Sequence, residues 1–191
     1  MPYQTISMAE AELRNKLRTL WEQHVFWTRL TISGIVFNLP DTDVTTNRLL
    51  RNPKDFQQLL APLYGPQASL TFEKLFTDHL VIAAQLVKAA KAGNQQEAAE
   101  AEKKWYANAD QIAAFLGSIN PYWSAKDWQK LLYDHLSMTK NEAVAFLTGN
   151  YAKSVTTFDQ IEQQALIMAD IMAFGIARQF LVHFTALSQD Q

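Results

Sequence analysis

Leu75-Phe-Thr-Asp-His-Leu-Val-Ile-Ala83 sets one histidine, His79, in the middle of an otherwise apolar helical stripe. The same arrangement recurs at His24, in Leu20-Trp-Glu-Gln-His-Val-Phe-Trp-Thr-Arg29, and at His135, in Leu131-Leu-Tyr-Asp-His-Leu-Ser-Met-Thr-Lys140. The three histidines are evenly spaced along the chain, and Thr28-Arg29 behind His24 is echoed by Thr139-Lys140 behind His135. Such a period predicts a repeat in which each unit is a histidine-bearing helix and its return.

Ser7 and Glu10 form a capping box that opens a helix to about Phe37, with Leu13, Leu17, Leu20, His24, Trp27, Thr31 and Ile35 at the spacing of a core-facing stripe. Pro40 stops it. Residues 41–52 read as a short helix and Pro53 as the first residue of a second one, to about Leu63. Gly65-Pro66 is a turn, and a helix follows from about Gln67 to Ala92, ended by Gly93. Asn94 caps the next, to about Leu116, with Trp105, Asn108 and Ile112 facing inward. Ser124 caps the His135 helix, which Gly149-Asn150 closes. The last and longest helix is expected from Tyr151 to Leu187, with Val155, Asp159, Glu162 and Leu166 on its inner stripe and Gly175 marking a close neighbour. Short connections at Gly93 and Gly149 make their flanking helices antiparallel hairpins. The reading is an all-α, mainly antiparallel bundle of five to six principal helices, folded as one domain over 1–191.

In a hairpin, residues equally far from the turn face each other. The step from His79 to Gly93, taken again beyond the turn, lands beside Asn108. The step from His135 to Gly149, taken again, lands beside Glu162. The sequence therefore predicts an interior polar layer of His24, His79, Asn108, His135 and Glu162, with Asp159 and Glu142 beside it. Buried polar groups left unpaired cost about 1–3 kcal/mol each, so these must satisfy one another or a ligand. Two functions follow. One is a structural or interaction protein whose layer fixes which helices pack together. The other is a bundle that binds a metal (Fe, Zn, Cu or Ni) or a small ligand in a redox or sensing role, with His24, His79, His135, Glu162, Asp159 and Glu142 as candidate metal ligands and Asn108 as their polar neighbour. Neither Glu-x-x-His nor His-Glu-x-x-His occurs.

The remaining polar residues read as structural. Asp170, in an apolar helix, is expected to pair with Arg29 or Lys140; Arg48 and Arg51 with Asp41 or Asp43; His183 to be partly buried; Trp21, Trp27, Trp105 and Trp128 to belong to the core.

Composition narrows the classes. Hydrophobic residues make up 48% of the chain, too many for disorder. A net charge of −2 without a Lys/Arg cluster argues against a nucleic-acid surface. No cysteine is present, which removes disulfides, thiolate nucleophiles and Cys-ligated metals and suits a cytoplasmic protein. Residues 1–16 do not read as a signal peptide, and Asp170, Arg178 and His183 break the most apolar run, so no membrane span is expected. A small ligand or a homo-oligomer remains open.

Five segments, Leu20-Trp-Glu-Gln-His-Val-Phe-Trp-Thr-Arg29, residues 45–56, 79–93, 104–116 and 158–170, resemble a family of small bacterial all-helical proteins often labelled acetylglutamate kinase. The resemblance spans nearly the whole chain and implies one intact helical domain. The kinase label implies an α/β fold with glycine-rich phosphate loops. Here all six glycines stand singly, with no Gly-x-Gly and no Gly-Lys-Ser/Thr, so an amino-acid kinase is rejected on sequence grounds.

Overall fold

Ser7 accepts a hydrogen bond from the Glu10 amide at 3.1 Å and so starts α1, Met8–Phe37. This computed structural model describes residues 6–184. Four long helices follow, α2 (Thr42–Lys91), α3 (Gln95–Ile119), α4 (Ala125–Leu147) and α5 (Tyr151–Gln179), then a single turn, α6 (Leu181–Phe184). The described residues contain no strand, so the architecture is the expected all-α bundle.

The α2 segment is two helices rather than one. Gly65 takes φ 79° and ψ 170°, a conformation a side chain resists, and folds the helix back on itself. Phe56 on the first arm (42–64) thereby meets Phe72 and Phe76 on the second (66–91), with ring centres 5.7 and 5.3 Å apart. Pro53 does not begin a new helix. It sits buried inside the first arm, where its missing N–H costs one intrahelical bond without breaking the rod. The α3 helix runs past the expected Leu116 to Ile119, and the last long helix ends at Gln179; the expected continuation to Leu187 lies partly outside the described residues.

Six rods therefore alternate in direction. Three run one way: α1, the second arm of α2, and α4. They end at one pole, where Lys91 Nζ donates to the Ile35 carbonyl and Phe37 meets Phe146 at 5.7 Å. The first arm of α2, α3 and α5 run back to the other pole, where Tyr64 donates to Gln179, Asn120 to Tyr64 and Gln179 to the Ile119 carbonyl, at 2.8–3.0 Å. Packing closes a ring, α1 on α2, α2 on α3, α3 on α4, α4 on α5 and α5 on α1. Gly175 permits one tight contact, because a Cβ there would stand 1.9 Å from the Trp123 indole nitrogen, which donates to the Ile171 carbonyl.

The three hairpins share one turn. Asn38, Gly93 and Gly149 are left-handed, at φ 54°, 73° and 72°. The residue after each donates back to a carbonyl five residues earlier, Leu39 to Gly34, Asn94 to Ala89 and Asn150 to Ala145, at 2.8–3.0 Å. Each turn follows its histidine at the same sequence distance, Asn38 after His24, Gly93 after His79 and Gly149 after His135. The turns therefore set all three histidines at one height.

Candidate functional site

His24, His79 and His135 are all buried, at 2–3% exposure. Their rings converge, with His24 5.6 Å from His135 and 6.5 Å from His79, centre to centre. Phe76 stacks on His24 at 4.8 Å, and Trp105 lies 5.4 Å from His79.

Each histidine is matched by an amide on its return helix. His79 Nδ1 lies 3.0 Å from Asn108 Oδ1, and Asn108 Nδ2 donates to the Leu75 carbonyl at 3.0 Å. His135 Nδ1 lies 3.1 Å from Gln164 Oε1, and Gln164 Nε2 donates to the Leu131 carbonyl at 2.6 Å. Leu75 and Leu131 each stand one helical turn before their histidine. The first hairpin has the same parts: Asn52 Nδ2 donates at 2.9 Å to the carbonyl of Leu20, which stands one turn before His24. There the last contact is open, and both His24 Nδ1 and Asn52 Oδ1 are buried without a partner among the described residues. The return is shorter by a single position in this unit: Asn52 stands that much nearer Asn38 than Asn108 stands to Gly93 or Gln164 to Gly149.

These bonds fix the tautomers. A carbonyl can only accept, so the amide nitrogens of Asn108 and Gln164 must face Leu75 and Leu131 and their oxygens must face the rings. Nδ1 of His79 and of His135 therefore carries the proton, and each Nε2 is a free lone pair. Burial keeps the rings neutral. It lowers His79 to about 3 and His135 to about 4, and holds His24 well below its ordinary 6.5, with the neighbouring histidines adding to the effect on His24 and His79.

The expected carboxylates do not join this layer. Asp159 is exposed. Glu162 is half-buried and faces Glu22 instead, and burial with the hydrogen bond and charge of Glu162 raises Glu22 to about 7. Glu142 is buried but held by Arg29, which also donates to the Ser154 carbonyl and lies between the rings of Phe146 and Phe158, 4.8 and 5.0 Å from their centres. Burial raises Glu142 to about 7 against the opposing pull of Arg29. Gln164, not Glu162, is the partner of His135, because the buried face of α5 carries Ser154, Thr157, Ile161, Ala165 and Met168, a stripe rotated slightly from the expected one. Sequence reasoning misses Asn52 and Gln164. Yet Gln164 stands as far beyond Gly149 as Asn108 beyond Gly93, and Asn52 nearly as far beyond Asn38.

Other expectations are corrected as well. Asp170 pairs with Arg14 and Arg18, at 2.7 Å each, rather than with Arg29 or Lys140, and Lys140 pairs with Glu102. Arg51 pairs with Asp55 in the next turn, and Arg48 bonds Gln23 and covers Trp27. His183 is exposed. Trp21, Trp105 and Trp128 are core residues, and Trp27 is half-buried.

A cavity of about 420 Å³ lies directly above the layer. Thr28, Ala83 and Thr139, each one turn beyond a layer histidine, line it, and so does Trp105. No helix among the described residues is long and apolar enough to cross a membrane. No protein family, curated protein or solved structure matches this chain.

Proposed function

We propose that the bundle binds a transition-metal ion at the histidine layer, with the imidazoles of His24, His79 and His135 as ligands. The observation that carries this is the pair of amide-fixed tautomers. Metal-bound imidazole needs an unprotonated nitrogen and commonly donates its other N–H to a fixed acceptor. His79 and His135 meet both conditions through Asn108 and Gln164. Neutral imidazole suits Zn, Cu, Fe or Ni; the chain has no cysteine, and among the described residues the buried carboxylate, Glu142, is held by Arg29. Three imidazoles sharing one ion at bonds of about 2.0–2.1 Å have ring centres roughly 5 Å apart. As the rings stand, no three His, Asp or Glu side chains among the described residues are disposed to hold an ion. Binding thus requires His79 to move roughly 1.5 Å toward His24, within reach of side-chain rotation.

The second reading, a network that only specifies packing, is favoured by the same bonds, since His79 and His135 each already have one partner without an ion. Elemental analysis of untagged protein separates the two. Near-stoichiometric metal that is lost on His79→Leu supports the metal centre; metal-free protein that takes up none on reconstitution leaves the packing network.

A further inference from the structure

We infer that the cavity above the histidine layer is the binding chamber for a small, largely apolar organic molecule whose single hydrogen-bonding head group points down at the layer. The walls come from α1, both arms of α2, α3 and α4, so the space reaches into the bundle from a mouth bordered by the exposed residues Ala90, Ala99 and Val144. Its volume, about 420 Å³, is in the range of small-molecule sites, and native cores hold few voids larger than one water. Leu80, Ala83, Val87 and Ala143 make the walls apolar, and water needs two to four polar partners that such walls do not offer. Among the polar lining residues, Thr28, Thr139 and Trp105 stand nearest the layer, Thr31 is one turn higher, and Glu102 and Lys140 pair with each other. Thr31 Oγ1, Thr139 Oγ1 and Trp105 Nε1 belong to lining residues, are buried, and have no partner among the described residues. Below them lie the histidine rings. The chamber opens beside the turn from α2 to α3, where Gly93 and Gln95 are exposed. The direction of the head group rests on the metal-centre reading; the burial of the apolar body does not.

Octan-1-ol is a suitable probe, tested by thermal shift and calorimetry on the full chain, once treated with chelator and once loaded with Zn(II). The expected result is a rise in melting temperature and saturable binding in both forms. Ala83→Phe and Ala143→Phe fill the chamber and should weaken binding by roughly tenfold or more through lost apolar contact, with the helical circular dichroism unchanged. If a phenylalanine variant does not fold, Ala143→Leu serves, with a smaller loss in the same direction. Wild-type-like binding in a folded, filled variant overturns the chamber, and so does zinc uptake without octan-1-ol binding. Octan-1-ol binding without zinc uptake supports the chamber and removes only the metal reading.

Discussion

The two halves of this bundle, on either side of the histidine layer, are built on opposite principles. Below the layer, Trp21, Phe56, Phe72, Phe76, Trp128, Met168 and Met172 are almost fully buried and belong to one continuous core. Above it, a smaller separate cluster of Ile32, Ile35, Val87, Ala143 and Phe146 packs beside Leu49, Leu80 and Leu86, and alanine-rich walls leave a cavity of about 420 Å³. The same three hairpins build both halves, so the difference lies in side-chain size and not in backbone design. The lower half supplies cohesion, and the upper half gives up packing for space beside the layer. A buried polar layer at the boundary suits this division: its amides are anchored to backbone carbonyls, so the rings are held although one side of the layer is hollow.

Truncation tests this contrast most strongly. Phe76→Ala, in the packed half, is expected to cost about 3–5 kcal/mol, and Ile35→Ala, in the hollow wall, about 2 kcal/mol, because that side chain already faces open volume. Urea unfolding of both variants reads the difference, and equal losses would remove the distinction between the halves.

Acid sensitivity examines the boundary itself. Each layer histidine has a folded pKa below its ordinary 6.5. As pH falls below 6.5 the unfolded chain takes up protons that the folded one refuses, so stability drops toward pH 4 at up to about 1.4 kcal/mol per pH unit for each histidine. Glu22 and Glu142 act the other way. Both are raised to about 7, so the folded state keeps protons that the unfolded chain has lost above 4.5, and their contribution declines as pH rises from 4.5 to 7. The loss of stability on acidification, read from denaturation curves at pH 7, 6 and 5, should therefore be steeper for Glu142→Gln than for wild type and shallower for His79→Gln. An unaltered slope in His79→Gln would mean that this ring is not buried neutral.

The amides rank next. Asn108→Leu and Gln164→Leu each leave a buried Nδ1–H without its acceptor, at about 1–3 kcal/mol. Asn52→Leu should cost nearer to about 1 kcal/mol, since its oxygen does not engage His24 and only the bond to the Leu20 carbonyl is lost. An Asn52→Leu loss as large as that of Asn108→Leu would show that the first hairpin closes its contact in solution. Adding volume separates the halves by sign, and its Ala143 arm is the smallest effect of all. Ala143→Leu, into the hollow, is expected to stabilise by about 0.5–1 kcal/mol, while Ala169→Leu, in the packed half, should cost about 1–3 kcal/mol. Thermal melts of the pair decide whether the cavity persists in solution.

Much of this design is readable without coordinates. The histidine spacing, the glycine-closed turns and the capping residues Ser7, Asn94 and Ser124 are local signals, and each sets a helix end or a hairpin on its own. Counting from Gly93 and Gly149 sets His79, Asn108 and His135 at one height, and the regular histidine spacing adds His24. What fails is rotation about a helix axis. On α5 nearly every turn carries an apolar residue, so periodicity cannot decide between the stripe through Val155 and Glu162 and the true one through Ser154, Ile161 and Gln164. Applying to Gly149 the step that joins Gly93 to Asn108 reaches Gln164. Asn52 is hidden for a different reason: Pro53 reads as a helix start, which cuts the return arm at the residue that faces His24. The pairing of Asp170 with Arg14 and Arg18, rather than Arg29, depends on which faces of α1 and α5 meet, and that is a property of the assembled ring.

The layer rests on two neutral imidazoles, His79 and His135, with Nδ1–H anchored and Nε2 free. Nitrogen-15 NMR of histidine-labelled protein at neutral pH measures this directly. His79 and His135 are expected to be protonated at Nδ1 and unprotonated at Nε2, and added Zn(II) to shift their Nε2 signals and one ring-nitrogen signal of His24 but none of exposed His183. Protonation of Nε2 in His79 and His135, or imidazolium at either, would contradict it.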